Sequence, residues 1–254
     1  MKLNNNNEKR TGIKIANTII LIILFSALFS LNSIIKSNAA PGGVEISFNT
    51  SEKAAALAGY SINTSGGTFT TMMMNATSLN ERWKAYIGNI TGKLTLRNTL
   101  NNTIYDWVTN AVSGEIYASR SNDLGWATIQ CAGATTIQNE QTALNITNSK
   151  TDSINHTFGN LIHRGFYAGS SQVINSTCKS TATYVNNAEQ TIDEDAKFQE
   201  ILLEDSDNDL IYATLINNAT QGFDSSFYDF QMILAENAIP SNPAETYYFY
   251  AELI

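Results

Sequence analysis

Charged side chains are scarce in this chain, at 15% of 254 residues, against roughly 25% in an ordinary globular domain. Proline is scarcer still. There are three, two of them near the C-terminal end, which excludes a proline-rich stalk or linker. The sequence contains no G-x-S-x-G, H-E-x-x-H, P-loop or G-x-G-x-x-G segment, so the common nucleophile, zinc-protease and nucleotide signatures are absent. No catalytic or cofactor-binding residue is assigned, and the chain reads as a non-enzyme. Carboxylate pairs of glycoside hydrolases are assembled in space and leave no spacing to find, so a secreted hydrolase stays open as an alternative.

Basic residues are missing where a polyanion would need them. Residues 1–40 hold five of the fifteen bases and one of the twenty-three acids, leaving ten bases and twenty-two acids beyond them, a net of −12. Residues 185–254 carry fourteen acids and one base, Lys197. Such a surface has no footprint for a phosphate backbone, so nucleic acid is excluded as a partner and anionic lipid is disfavoured.

Asn, Ser and Thr fill the gap, at roughly three residues in ten. Thr, Tyr, Phe and Ile suit strands, and Asn, Ser and Gly suit turns, so this composition belongs to exported β-rich proteins. Hydrophobic residues make up 43%, and the length allows a sizeable core.

The one long apolar run lies near the N-terminus. Lys2, Lys9, Arg10 and Lys14 precede an almost wholly apolar stretch over 18–29, extended by Leu31, Ile34 and Ile35. Small residues at Ser37 and Ala39 then precede Ala40 and Pro41. A basic flank, an apolar core and a small-residue site describe a secretory signal cleaved after Ala39 or Ala40. The run is also long enough to anchor the chain through residues 15–35 if left uncleaved, with its basic end cytoplasmic. Arg10-Thr11-Gly12 before Ile13 loosely resembles a pilin-type leader site, which would leave the helix on a filament subunit. All three readings export residues 41–254, as one β-rich domain or as two β halves over about 41–130 and 160–254.

Cys131 and Cys178 are the only cysteines. In an oxidising compartment an even pair predicts one disulfide. The alternatives are a thiol nucleophile with His156 or His163 as base, or a zinc site, and neither has a recognisable local pattern. Nine N-x-[ST] triplets begin at Asn49, Asn63, Asn75, Asn89, Asn101, Asn145, Asn155, Asn175 and Asn218. About six would arise by chance, so they permit N-glycosylation without demanding it.

Strand patterns recur along the domain. Residues 44–48 alternate, 51–57 suit a short helix, and 68–74 have strand composition. In Met72-Met73-Met74 the expected arrangement is core packing with one exposed thioether. Residues 83–107 read as a three-stranded meander with turns at Gly88-Asn89 and 98–102. Residues 114–119 and 126–130 continue the rhythm, while 135–158 suit a short helix or a surface excursion. Residues 161–167 and 182–185 look extended. Residues 198–204 and 210–216 form a predicted hairpin, and 227–234 and the aromatic 246–253 are further strands. A terminal strand of that kind lies deep in a sheet or pairs with another chain. The fold class expected is mainly β, a β-sandwich or jelly-roll-like domain after an N-terminal hydrophobic helix. The similar fragments at 102–105 and 208–212 would also fit a duplication.

Asp205, Asp207 and Asp209 have the alternate spacing of a calcium loop, but Leu210 and Ile216 stand where an EF-hand has Gly and Glu. A weak surface Ca²⁺ is the only cofactor implied. Trp83, Trp107 and Trp126 with eleven tyrosines could line a carbohydrate platform, although aromatics at strand alternation are more often core.

The stretch Trp83-Lys84-Ala85-Tyr86-Ile87-Gly88-Asn89-Ile90-Thr91-Gly92, with Ile104-Tyr105-Asp106-Trp107 and the aromatic ending, resembles uncharacterised secreted proteins of archaea. Those share a W-K-x-Y-V-G-N-V-x-G-like segment. The resemblance implies an archaeal cell-surface or extracellular protein and supplies no catalytic residue. The function expected is a structural or adhesion component that associates with itself or other surface proteins. A glycan is the alternative ligand.

Overall fold

The computed structural model describes residues 40–55, 58–108, 112–237, 239 and 242–254. The apolar run of residues 18–35, read above as signal, anchor or pilin-type helix, lies outside them. In chain order the elements are β1 (Gly42–Gly43), β2 (Trp83–Gly88), β3 (Lys93–Arg97), β4 (Thr103–Val108), β5 (Gly114–Ser119), β6 (Gln130–Cys131), α1 (Ala134–Ala143), α2 (Ile154–Thr157), β7 (Phe166–Ala168), β8 (Ser171–Val173), β9 (Ser180–Ala182), β10 (Gln199–Glu204), β11 (Leu210–Leu215), β12 (Thr220–Gln221), β13 (Phe227–Tyr228), β14 (Phe230–Ala235) and β15 (Tyr248–Leu253).

The protein is mainly β, and every strand pairing is antiparallel. Seven strands form the central sheet in the order β1-β15-β5-β11-β10-β6, with β9 also on β10. Every residue of β5, β10 and β11 is buried. Runs such as Ile201-Leu202-Leu203 and Leu210-Ile211-Tyr212-Ala213 are nearly continuous in apolar character because both faces of the sheet are covered. Strand alternation then divides them. Leu202 and Tyr212 join Ile116, Ala118, Phe158, Met232 and Leu234 in one core cluster. Ile201, Leu203, Ile211, Ala213 and Leu215 join Tyr117, Phe166 and Val173 in the other. Each fully buried Leu or Ile contributes about 1.5–3 kcal/mol relative to exposure.

The first face is covered by the β14–β2 pair and by Ile137 of α1 and Ile154 of α2. The second is covered by the β7–β8 hairpin and by the Cys131–Cys178 disulfide, which joins β6 to the chain just before β9. The predicted pairing of the two cysteines is therefore present.

The predicted β10–β11 hairpin forms, with Glu204 opposite Leu210. Its turn is held by Asp205, and Asn208 takes a positive φ of 64°, which asparagine tolerates better than most residues. Of the 246–253 strand, Tyr248–Leu253 forms as β15, paired along its length with β5 and mostly half-buried. Its other side meets β1 at Ala251 and Tyr250, so it is not a free strand awaiting a partner chain.

Several expectations are corrected. Residues 44–48 and 68–74 are not in strands, only Val44 bonding a strand, with its N donating to Phe249 O at 3.4 Å, and 51–55 are not helical. Their alternation is correct for strands, but among the described residues no sheet edge pairs with them beyond Val44. All three methionines at 72–74 are exposed, not one. The 83–107 region is not a continuous meander, because β2 pairs with the distant β14 and leaves β3–β4 as a separate hairpin. Residues 126–128 make a turn, with Thr128 N donating to Gly125 O at 3.0 Å. Residues 134–143 resolve as helix. The fragments at 102–105 and 208–212 differ in setting, one on the exposed hairpin and the other in the central sheet.

Candidate functional site

The hairpin β3–β4 is built by its sequence alone. Its turn is an asparagine cluster: Asn98 Oδ1 accepts the amides of Leu100 at 3.0 Å and Asn102 at 2.9 Å. Asn101 closes the turn at φ 63°. Such side chains replace the backbone partners that a turn lacks. The register places Leu94 opposite Trp107 and Leu96 opposite Tyr105. Residues opposite one another, and residues two apart, share a face. One face of the ribbon is therefore Leu94, Leu96, Tyr105 and Trp107. The other carries the Lys93–Asp106 ion pair and Thr95.

The apolar face is uncovered. Leu94 is 44% exposed, Leu96 55%, Tyr105 60% and Trp107 50%. The Tyr105 and Trp107 rings meet edge to face, with centroids 4.9 Å apart. Among the described residues neither strand pairs with anything except the other. A lone two-stranded ribbon is marginal in water, and a contiguous exposed apolar patch marks an interaction surface. The base of the ribbon is fixed: Ile90 packs against the first core, and its amide donates to Asp229 Oδ2 at 3.0 Å. Ahead of β2, residues 44–55 and 58–80 run exposed and carry Phe48, Tyr60, Phe69 and the three methionines.

The other tryptophans are structural. Trp83 packs on Phe158 and donates from Nε1 to Asp152 O at 2.8 Å. Trp126 lies edge-on to Tyr117 and Tyr250. Of the three tryptophans, Trp107 alone faces solvent broadly, and sequence alternation could not separate it from the others.

Both sulfurs are in the disulfide, which removes the thiol nucleophile and the Cys-His zinc alternatives. His163 is buried beside it, donating from Nδ1 to Arg164 O at 2.9 Å and accepting at Nε2 from the amides of Thr177 and Cys178. Burial lowers its pKa, and this pattern needs the neutral ring. His156 bonds the N-cap Ser153, with Nδ1 and Oγ 2.8 Å apart.

The three calcium candidates differ in setting. Asp205 is buried; its Oδ1 accepts the amides of Asp207 at 3.0 Å and Asp209 at 3.1 Å, and Oδ2 accepts Gly125 N at 2.9 Å. Asp207 is exposed and Asp209 half-buried. Among the described residues no group of three or more ligating side chains could hold a metal. The sequon asparagines are exposed except Asn155, which is half-buried. Asn175 donates to Glu194 Oε1 at 2.7 Å.

No family model, no curated protein and no solved structure matches this chain. Among the described residues no helix is long and apolar enough to cross a membrane.

Proposed function

We propose that this is an exported, non-enzymatic surface or extracellular subunit, a β-sandwich or jelly-roll-like domain behind an N-terminal export segment, that associates with copies of itself through the β3–β4 ribbon. The observation carrying the reading is the exposed row of Leu94, Leu96, Tyr105 and Trp107 on a ribbon that the described residues leave unpacked. The exposed strand-patterned segments at 45–48 and 68–74 support it, since a neighbouring copy could supply the pairing they lack. The disulfide is compatible with an oxidising exterior. The resemblance to secreted archaeal proteins agrees with export. If the helix is retained from Ile13, the subunit is pilin-like.

The test is the mass distribution of the exported protein in solution, with and without the triple substitution Leu96→Ser, Tyr105→Ser, Trp107→Ser. Association that rises with concentration and vanishes in the folded triple variant is the expected result. A wild type that stays monomeric at high concentration overturns the proposal.

A second reading, glycan binding, rests on the exposed Tyr105–Trp107 pair. It predicts that soluble oligosaccharides quench or shift Trp107 fluorescence, and that Trp107→Ala abolishes retention on a glycan matrix.

A further inference from the structure

In the β5–β15 seam, Glu252 lies directly opposite Glu115. Opposed residues on antiparallel strands share a face with their Cβ atoms about 4.5–5.5 Å apart, and like charges in that arrangement repel. Both are 4% exposed, so little water screens them. Glu252 Oε2 accepts the Gly169 amide at 2.8 Å and the Tyr117 hydroxyl at 3.2 Å. Its other oxygen, Oε1, and Glu115 Oε2 are buried with no hydrogen-bond partner. The titratable and charged groups acting on the pair are Tyr117 of β5 and Arg164, which precedes β7. No ion pair joins Arg164 to either carboxyl among the described residues.

Two buried carboxyls side by side without a close cation cannot both ionise at low cost. A proton retained by one gives it an O–H to donate, and the other offers an acceptor. Strand β15 is also where loosening costs least. On its outer side it has only the two residues of β1 and the Val44 N to Phe249 O bond at 3.4 Å, and weakly supported edges open first.

We propose that Glu115 and Glu252 form a proton-dependent latch on this seam. While the pair holds a proton, the C-terminal strand stays seated on β5. When the last proton leaves to solvent, repulsion between the two carboxylates loosens Tyr248–Leu253 locally.

Burial, reinforced by Glu252, pushes the Glu115 carboxyl up to about 8, and burial raises Glu252 as well. The folded pair therefore holds protons that the unfolded chain has released, and stability falls as pH rises from the ordinary carboxyl range through about 8. The latch is closed in acid and opens in alkali. This inference does not depend on the proposed assembly.

Hydrogen exchange of the full chain, corrected for the intrinsic pH dependence of exchange, tests it. Protection of residues 246–254 should drop between about pH 6 and about pH 9, while β10 and β11 stay protected. In Glu115→Gln and Glu252→Gln the drop should disappear. Unchanged protection of β15 in the wild type overturns the proposal, as does an undiminished drop in both variants. Restoration of protection at high pH by calcium chloride also overturns it, because the pair would then be a cation site. Should neither variant fold, infrared titration in the Glu200→Gln background decides. A protonated-carboxyl band that remains there and is lost only in alkali supports the latch, and the absence of any such band at neutral pH refutes it.

Discussion

The Glu200 carboxyl accepts the backbone amide of Ile233 at 2.9 Å, so a side chain of the central sheet serves as the missing hydrogen-bond partner along β14. Thr214 completes the device by donating from Oγ1 to Gln231 O at 2.9 Å. Glu200 and Thr214 sit opposite each other on β10 and β11. Two polar residues inside an apolar face thus tie the β14–β2 pair to the sheet beneath it. Glu200 is fully buried, and burial raises its pKa well above the ordinary carboxyl range.

Glu200→Gln should therefore preserve the acceptor while removing the proton dependence. The folded state binds the Glu200 proton above the pH at which the unfolded chain has released it, so wild-type stability declines with rising pH from about 4.5 upward. Thermal melts across a pH series should show a shallower decline in Glu200→Gln. Glu200→Leu should cost about 1–3 kcal/mol at low pH, because the Ile233 amide loses its partner, and the cost should shrink as pH rises and the wild type alone loses stability.

Gly114 has a φ of +130°, and a Cβ added there would lie 1.9 Å from Glu252 O. Gly114→Ala should lose more than about 1 kcal/mol from the backbone alone, with the steric conflict adding to it. Chemical denaturation should show the loss, and Gly66→Ala, with open space around it, should show none.

The disulfide closes a loop between positions 47 apart. Replacing both cysteines by alanine should lower stability by about 4 kcal/mol on chain-entropy arithmetic, read from urea titrations. His163→Ala should add to that loss by leaving the Thr177 and Cys178 amides unpaired. The neutral imidazole that these bonds require is lost as pH falls below the ordinary histidine range.

Asp205→Ala should cost about 1–3 kcal/mol by freeing three backbone amides, whereas Asp207→Ala should change little. Melting with and without calcium tells turn from ligand. A calcium-dependent stabilisation lost in both variants would support the metal reading.

The hairpin of β10 and β11 was legible because a dense turn sequence, Asp205-Ser206-Asp207-Asn208-Asp209, separates two apolar runs. The β3–β4 ribbon was legible for the same reason, through Asn98, Asn101 and Asn102. What β2 pairs with was not legible. Trp83 to Gly88 and Phe230 to Ala235 lie far apart in the chain, and strand alternation states which face is apolar without naming a partner. Trp107 shows the same limit at the site. Its alternation matches that of Trp83, yet Trp83 packs on Phe158 in the core while Trp107 meets Tyr105 on a half-exposed ribbon face.

The sequence by itself determined a mainly β, acidic domain, its strongest turns and its one cysteine pair, because composition and local turn chemistry act over a few residues. Tertiary structure alone decided which strands meet, that residues 44–48 and 68–74 form no strand, and that Glu115 faces Glu252 in a dry seam. Those outcomes depend on long-range register and on desolvation, and neither is written in any short stretch of chain.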